Sequence, residues 1–263
     1  MKLFTIFGNP VKHSISPRMH NLAIKNLNLN ACYTRVLLKD GNLLKKSFFD
    51  LSLDGANVTV PHKEVAFLQC DEVRGIANKI KAVNTLVLEN GKMIGYNTDA
   101  DGFLESIRCY QNIKKVLIIG AGGTAKALSF IFRENDIDTT ILNRSKERLE
   151  FFKNNGFDTY SWDEYKVDRY DLVVNTTSAG LENQNLPLPT DMMDLVFANT
   201  KYAVDVIYNK NTPFLQRAKE FKIECKDGSD MLLYQGVIAF YLFFDKSIPL
   251  DKITDEMKKA FNL

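Results

Sequence analysis

The sequence predicts a two-domain α/β fold. A mainly parallel N-terminal α/β domain is followed by a Rossmann-type dinucleotide-binding domain, and C-terminal helices return to the first domain. Three observations carry this expectation. Strand-length apolar runs alternate with helical patterns from residue 2 to about residue 98, and a second alternation follows. That second series opens on Lys115-Val116-Leu117-Ile118-Ile119-Gly120-Ala121-Gly122-Gly123-Thr124-Ala125, an apolar strand that breaks into glycines and then into helix-forming residues. The apolar stretch Met231 to Tyr241 has no strand after it and reads as a buried helix. At 263 residues, 45% of them hydrophobic, the chain is long for one core and comfortable for two. The boundaries expected are 1–100, 101–228 and 229–263, so the chain crosses between domains twice.

In the first part, strands are expected at Leu3 to Phe7, Tyr33 to Leu38, Ala56 to Val60 and Thr85 to Leu88, with helices at Pro17 to Leu27 and His62 to Gln69. Ser16 before Pro17 suits a helix start, because Ser is a favoured N-cap and Pro tolerates the first helical position. In the second part, strands are expected at Lys115 to Ile119, Thr139 to Leu142, Asp171 to Asn175, Tyr202 to Ile207 and Ile223 to Lys226. No repeat, low-complexity tract or Gly/Ser linker interrupts the chain.

Thirty-four Lys and Arg against 32 Asp and Glu leave a formal charge of +2, and no basic run is long enough to suggest nucleic acid. The expected partner is therefore a small molecule. Cys32, Cys70, Cys109 and Cys225 are scattered without a paired motif, and His13, His20 and His62 lack ligand spacing, so reduced thiols and no metal are expected. The longest apolar run, Val237 to Phe244, is too short to span a bilayer, and the first eight residues lack a signal-peptide core. These features predict a cytoplasmic protein without a membrane partner. They leave the oligomeric state open, a homodimer included.

The glycines of Gly120, Ala121, Gly122, Gly123 and Thr124 allow the backbone to approach a pyrophosphate, and the helix that follows offers free amides and the positive end of a dipole. A plain structural turn would read the same way in isolation. The next strand, however, ends in Asn143-Arg144-Ser145-Lys146-Glu147-Arg148, with no acid placed to bind a ribose 2'-hydroxyl. Arg144 and Arg148 could instead clamp a 2'-phosphate, which favours NADP over NAD. A solvated helix start is the plainer alternative, although cations are disfavoured near a helix N-terminus unless an anion joins them.

Other polar clusters border the first strands. Ser14 and Ser16 flank a helix N-terminus, where two hydroxyls and a dipole suit a carboxylate; for Ser16, capping is an equally good explanation. Lys63 falls in the first turn of a helix, an unfavourable place for a cation unless it is only an exposed, snorkelling side chain. Asn84 and Asp99 fit ordinary turns as well as a site.

Eight segments in colinear order carry a resemblance over nearly the whole chain. They are Ser14-x-Ser16-Pro17, Asn57-Val58-Thr59-Val60-Pro61-x-Lys63, Ala82-Val83-Asn84-Thr85, Asn97-Thr98-Asp99, Gly120-Ala121-Gly122-Gly123, Asn143-Arg144-Ser145, Asp205-x-x-Tyr208 and Met231-Leu232-x-x-Gln235. Together they resemble the shikimate dehydrogenase family. The resemblance implies reversible NADPH-dependent reduction of 3-dehydroshikimate to shikimate, a step toward chorismate and the aromatic amino acids, in a discontinuous substrate domain around an inserted NADP domain. It implies that Ser14 and Ser16 hold the substrate carboxylate with Tyr208 nearby, and that Thr59, Asn84, Asp99 and Gln235 address ring hydroxyls or the reacting oxygen. It also implies that Lys63 carries the catalytic amine. On the cofactor, Gly120 to Thr124 would face the pyrophosphate, Asn143 to Arg148 the ribose phosphate, and backbone near Val206 and Gly228 the nicotinamide side.

The chain departs from the family pattern at His62, where an apolar aromatic is common, at Ser229-Asp230 after Gly228, and at Lys210. The first could make the surroundings of Lys63 more polar, and the second adds charge beside the nicotinamide region. Catalysis is expected from Lys63 and Asp99 acting together, and the sequence leaves open which of them carries the proton. Alternatives are a quinate/shikimate dehydrogenase with broader substrate or NAD use, and a non-catalytic NADP-binding sensor; retention of both Lys63 and Asp99 weighs against the sensor.

Overall fold

The structure, a computed structural model, describes residues 1–262. The chain runs β1 (Lys2–Gly8), α1 (Ser16–Asn26), β2 (Ala31–Leu37), α2 (Leu44–Asp50), β3 (Gly55–Val58), α3 (Lys63–Gln69), β4 (Glu72–Val73), α4 (Ala77–Ile80), β5 (Thr85–Glu89), β6 (Lys92–Tyr96) and α5 (Asp99–Ser106). It continues through β7 (Lys115–Ile119), α6 (Gly123–Glu134), β8 (Asp138–Asn143), α7 (Glu150–Asn154), β9 (Asp158–Ser161), β10 (Tyr170–Asn175), α8 (Thr190–Phe197), β11 (Thr200–Asp205), α9 (Pro213–Glu220), β12 (Glu224–Lys226), α10 (Ser229–Phe243) and α11 (Leu250–Lys258). Two compact units result: Met1–Gly102 with the chain from Leu233 onward, and Phe103–Leu232. The chain leaves the first unit within α5 and returns to it within α10.

The first unit holds a six-stranded sheet in the order β2-β1-β3-β5-β6-β4. Its β1–β2, β1–β3 and β4–β6 pairings are parallel, while β3–β5 and β5–β6 are antiparallel. The antiparallel insert is a hairpin turned at Asn90 and Gly91, both with positive φ (51° and 76°), the backbone that a tight two-residue turn requires. Helix α1 buries Ser16, Met19, His20, Ala23 and Ile24, an i, i+3, i+4, i+7, i+8 stripe. Phe240, Phe243 and Phe244 of the α10 region and Ile253 and Met257 of α11 pack with Phe4, Ile6 and Met19 in one core. Each fully buried side chain of this size contributes about 1.5–3 kcal/mol. This burial explains why α10 is apolar almost all round: it lies inside its unit.

The second unit is an all-parallel sheet in the order β12-β11-β10-β7-β8-β9. Read from β9, that is the 3-2-1-4-5-6 order of a dinucleotide-binding fold, with its reversal between β7 and β10. Val116, Leu117, Ile118 and Ile119 are each at most 1% exposed, as a central strand covered on both faces requires.

Candidate active site

Topology brings the polar segments of the first unit to one sheet edge. Strands β1 and β3 are parallel, and two antiparallel pairings carry the direction from β3 through β5 to β6. The C-terminal ends of β1, β3 and β6 and the N-terminal end of β5 therefore share an edge. From it issue the loop to Ser14 and Ser16, the Thr59 turn into Lys63, Asn84 before β5, and Asn97 to Asp99.

Lys63 and Asp99 are the first residues of α3 and α5, and the Lys63 ammonium donates to Asp99 Oδ2 at 2.6 Å. The side chains are 30% and 15% exposed, so the pair is partly dry yet reachable. Asn97 ties down the backbone at the start of α5: its Nδ2 donates to the Ala82 carbonyl at 3.2 Å, and its Oδ1 accepts the Asp99 amide at 3.0 Å. On the other side, the Val83 amide donates to the Lys63 carbonyl at 2.9 Å. The ammonium is thus held where helix α3 by itself would disfavour it, by an acid supplied from a different element.

Ser14 Oγ accepts the Ser16 amide at 3.3 Å and lies 3.2 Å from Ser16 Oγ, so the two hydroxyls sit together at the start of α1. The N-cap expected at Ser16 is corrected: the helix already begins there, Ile15 occupies the cap position, and no side chain caps it. Capping therefore does not explain the Ser16 hydroxyl. Gln235 is placed by close helix contact, since a Cβ on Gly102 of α5 would lie 2.5 Å from the Gln235 amide nitrogen. Thr59, just past β3, is half-buried and tied at its amide to the Phe7 carbonyl of β1.

Beneath these residues runs a buried polar network. Tyr33 donates to Asn57 Oδ1 at 2.7 Å, and Asn57 Nδ2 donates to Thr85 Oγ1 at 3.1 Å. Asn84 Oδ1 accepts the Thr98 amide at 2.8 Å, while Asn84 Nδ2 donates to Thr98 Oγ1 at 3.1 Å. Asn84 is 2% exposed, so much of its amide is committed to holding Thr98, next to Asp99. Tyr33 also stacks on the buried His20 ring at 4.1 Å. Burial pushes His20 down to about 3 and keeps it neutral. Sequence reasoning missed Tyr33 and His20 as supports, since an isolated aromatic in a strand and a helical His carry no signal of their own.

His62 does not add polarity beside the ammonium. Its ring is buried, with Nε2 2.6 Å from the Leu38 carbonyl.

In the second unit, Gly120, Ala121, Gly122, Asn143, Arg144, Ser145 and Arg148 line one groove of about 440 Å³ at the C-terminal edge of the sheet, where the strand order reverses. Gly120 needs its glycine for backbone, with φ 113° and a Cβ position 2.6 Å from Thr176 Oγ1. Gly122 and Gly123 differ: a Cβ on either would meet no protein atom within 4 Å. Packing does not demand those glycines, and the open space before α6 suits a pyrophosphate reaching its free amides. The donor set therefore fits a phosphorylated dinucleotide. Gly123 and Thr124 stand in the first turn of α6.

Lys146 is drawn elsewhere, pairing with Asp163 at 3.0 Å and Glu164 at 2.8 Å, so its charge is largely spent. The groove also takes in Trp162, 6.0 Å from the Arg144 guanidinium, and Thr176 to Ala179. The latter were findable, because they follow the strand beyond the point of reversal; Trp162 carried no signal.

Gly228 and Val206 lie together, a Cβ on Gly228 falling 2.2 Å from the Val206 carbonyl oxygen. The departure at Ser229-Asp230 leaves the backbone regular: α10 starts there, and the Asp230 carboxylate pairs with Lys226 at 3.1 Å. Tyr208 belongs to this unit and is 37% exposed. Asp205 of the same segment is fully buried, accepting Thr212 Oγ1 at 2.6 Å and the Ile207 amide at 3.0 Å, and burial raises its carboxyl. It holds the loop after β11.

Residues 6–86 match the shikimate dehydrogenase substrate binding domain. A shikimate dehydrogenase (NADP(+)) from Helicobacter hepaticus is 48% identical over 242 residues, covering 91% of this chain and 90% of that protein. The crystal structure of shikimate dehydrogenase from Aquifex aeolicus superposes with a TM-score of 0.87 at 34% identity, covering 97% of each chain. The shikimate 5-dehydrogenase from Thermus thermophilus, in complex with NADP(H) and shikimate, gives 0.87 at 32% identity over 99% of this chain and 100% of that one. With full-length relatives this similar, and both sheets built as described, the chain belongs to the shikimate dehydrogenase family.

Proposed function

We propose that this protein is an NADP-dependent shikimate dehydrogenase, an oxidoreductase that interconverts 3-dehydroshikimate and shikimate. The observation that carries the reading is the Lys63–Asp99 pair, an ammonium and a carboxylate 2.6 Å apart and partly exposed, at the edge that also carries the hydroxyls of Ser14 and Ser16. Relatives bearing that name at full length support it.

In this reading Ser14 and Ser16 receive the substrate carboxylate, aided by the N-terminal dipole of α1. Tyr208 is assigned to the same substrate, and Thr59, Asn84 and Gln235 address its ring hydroxyls. The residues of the second unit hold the cofactor: amides from Gly120 to Thr124 take the pyrophosphate, and Asn143, Arg144, Ser145 and Arg148 take the ribose phosphate. Lys146, with its two carboxylate partners, adds little. Backbone at Val206 and Gly228 faces the nicotinamide. When bound, NADPH supplies the hydride. Lys63 stabilises negative charge as it grows on the carbonyl oxygen, while Asp99 orients the amine and accepts the hydroxyl of the reduced product. One proton must pass between this pair and the reacting oxygen, toward it in reduction and away from it in oxidation.

The proposal extends to a cytoplasmic location, supported by four free thiols, and to a homodimer, supported by exposed Leu37, Leu43, Phe49 and Leu51 on and after the edge strand β2. Light scattering on the purified protein reads the second point. The function itself is tested by following reduced nicotinamide absorbance with shikimate and NADP, with quinate and NAD as parallel arms. Shikimate-dependent reduction of NADP is expected, and a folded protein that gives none would sink the proposal.

A further inference from the structure

One wall of the dinucleotide groove is aromatic. Strands β8 and β9 run parallel with Asn143 opposite Ser161, so the next residues, Arg144 and Trp162, leave the same sheet edge side by side. Both line the groove, and the indole forms an apolar side of it with Leu186 and Pro187. Trp162 and Leu186 rest on the core cluster that holds Leu117, Ile119 and Leu142. The turn that carries the indole is pinned: the Ser161 hydroxyl donates to Glu164 at 2.6 Å, and Lys146 reaches across from the segment after β8 to Asp163 and Glu164. The ion pairs that draw Lys146 out of the groove thus tie the Trp162 turn to the Arg144 segment.

Packing does not account for a tryptophan here. Its indole N–H is buried without a hydrogen-bond partner, a cost that an aliphatic side chain resting on the same core would avoid. The Arg144 guanidinium stands 6.0 Å from the ring centroid, at the limit of cation–π attraction and too far to be stacked on it, unlike Arg133, which lies 3.4 Å over the Phe157 ring. Among the described residues, neither Arg144 nor Arg148 has a carboxylate partner. The groove therefore sets a flat apolar surface beside two cations that have no anion of their own.

We propose that Trp162 is the base-recognising residue of this groove, the surface against which the purine of the dinucleotide lies; this rests on the NADP reading above. Purine and 2'-phosphate hang from one ribose, so a base against Trp162 brings the phosphate to its neighbour Arg144. Aromatic side chains hold a base by stacking on its π-face and by the apolar area both remove from water. NADP and NAD carry the same purine. Trp162 therefore contributes to affinity for both, while Arg144 and Arg148 choose between them.

Trp162 is the single tryptophan of the chain, so indole fluorescence of the whole protein reports on this position alone. Saturation with 2',5'-ADP, the adenosine half of NADP, should change the emission, and nicotinamide mononucleotide, which has no purine, should not. By calorimetry, Trp162→Leu should weaken NADP and NAD alike by at least about fivefold, the lower end of what stacking a base on an aromatic side chain is worth. Trp162→Phe should keep most of the affinity for both. Undiminished binding of NADP and NAD by Trp162→Leu overturns the proposal, and so does a loss confined to NADP, which would mean that the indole only steadies Arg144. Should Trp162→Leu fail to fold, the wild-type titration decides: 2',5'-ADP that binds without changing the emission refutes the assignment. A wild-type protein that binds no dinucleotide would sink the cofactor reading and this proposal with it, whereas binding that ignores Trp162 sinks this proposal alone.

Discussion

Removing the Lys63 ammonium should separate chemistry from architecture. In the folded protein this group donates to Asp99 Oδ2 at 2.6 Å, and the carboxylate it leaves behind is 15% exposed. Losing the partner of a group so little hydrated costs about 1–3 kcal/mol, and the 30% exposure of Lys63 places the loss toward the lower end, because water can enter. For a chain of this size that is a fall in melting temperature of about 2–6 °C, and the fold survives. Turnover should suffer far more, by about two to four orders of magnitude, the usual worth of a positioned acid or base. NADP affinity should not change, since the cofactor groove is lined from the second unit.

The assay is steady-state kinetics in both directions with cofactor affinity measured separately. A primary isotope effect from shikimate deuterated at the reacting carbon should grow in Lys63→Ala as hydride transfer becomes limiting. Asp99→Asn should also impair turnover and weaken shikimate binding. The double variant should lose much less than the product of the two single losses, because the residues act as a unit. Fully multiplicative losses would show independent roles, and near-normal turnover in Lys63→Ala would remove Lys63 from the mechanism.

Three further outcomes follow from the geometry. Replacing Arg144 and Arg148 together with Gln should weaken NADP by about 2 kcal/mol, roughly thirtyfold, with little effect on NAD, because only NADP carries the phosphate; calorimetry showing equal losses would refute the clamp. Gly122→Ala should leave the melting temperature alone and weaken NADP, since its Cβ meets no protein atom, whereas Gly228→Ala, 2.2 Å from the Val206 carbonyl oxygen, should destabilise the protein itself; a stable Gly228→Ala protein would contradict the close approach. His20 should make folding pH-dependent. Its folded value of about 3 lies below the 6.5 of the unfolded chain, so between these the unfolded state binds a proton that the folded state refuses. Stability should be lost as pH falls through that window, by about 1.4 kcal/mol per unit, and His20→Phe should remove that slope from urea midpoints; an unchanged slope would mean the imidazole is hydrated.

What the sequence made legible, and what it hid, divides along a physical line. Strands β1, β7 and β10 were readable because a strand covered on both faces is apolar throughout, and the glycines after β7 because a tight turn admits few residues. The β5–β6 hairpin was missed although Asn90-Gly91 announces it, and β9 because four residues, Asp-Thr-Tyr-Ser, carry too little periodicity. For the site, the one-dimensional pattern found residues at element ends but not what each would meet. Lys146 and Arg148 stand in the same basic cluster; the position of Asp163 and Glu164 after β9 takes one of them away from the groove. Ser16 read as a cap because Pro17 follows it, yet helix α1 begins at Ser16 itself, which leaves its hydroxyl with Ser14. For Lys146 a local rule was overridden by partners contributed from further along the chain, and for Ser16 by a helix that starts one residue earlier than the cap rule expects. The Lys63–Asp99 pair illustrates the point: 36 residues apart, its members meet because two antiparallel pairings return β6 to the direction of β3, so that both strands end at one edge.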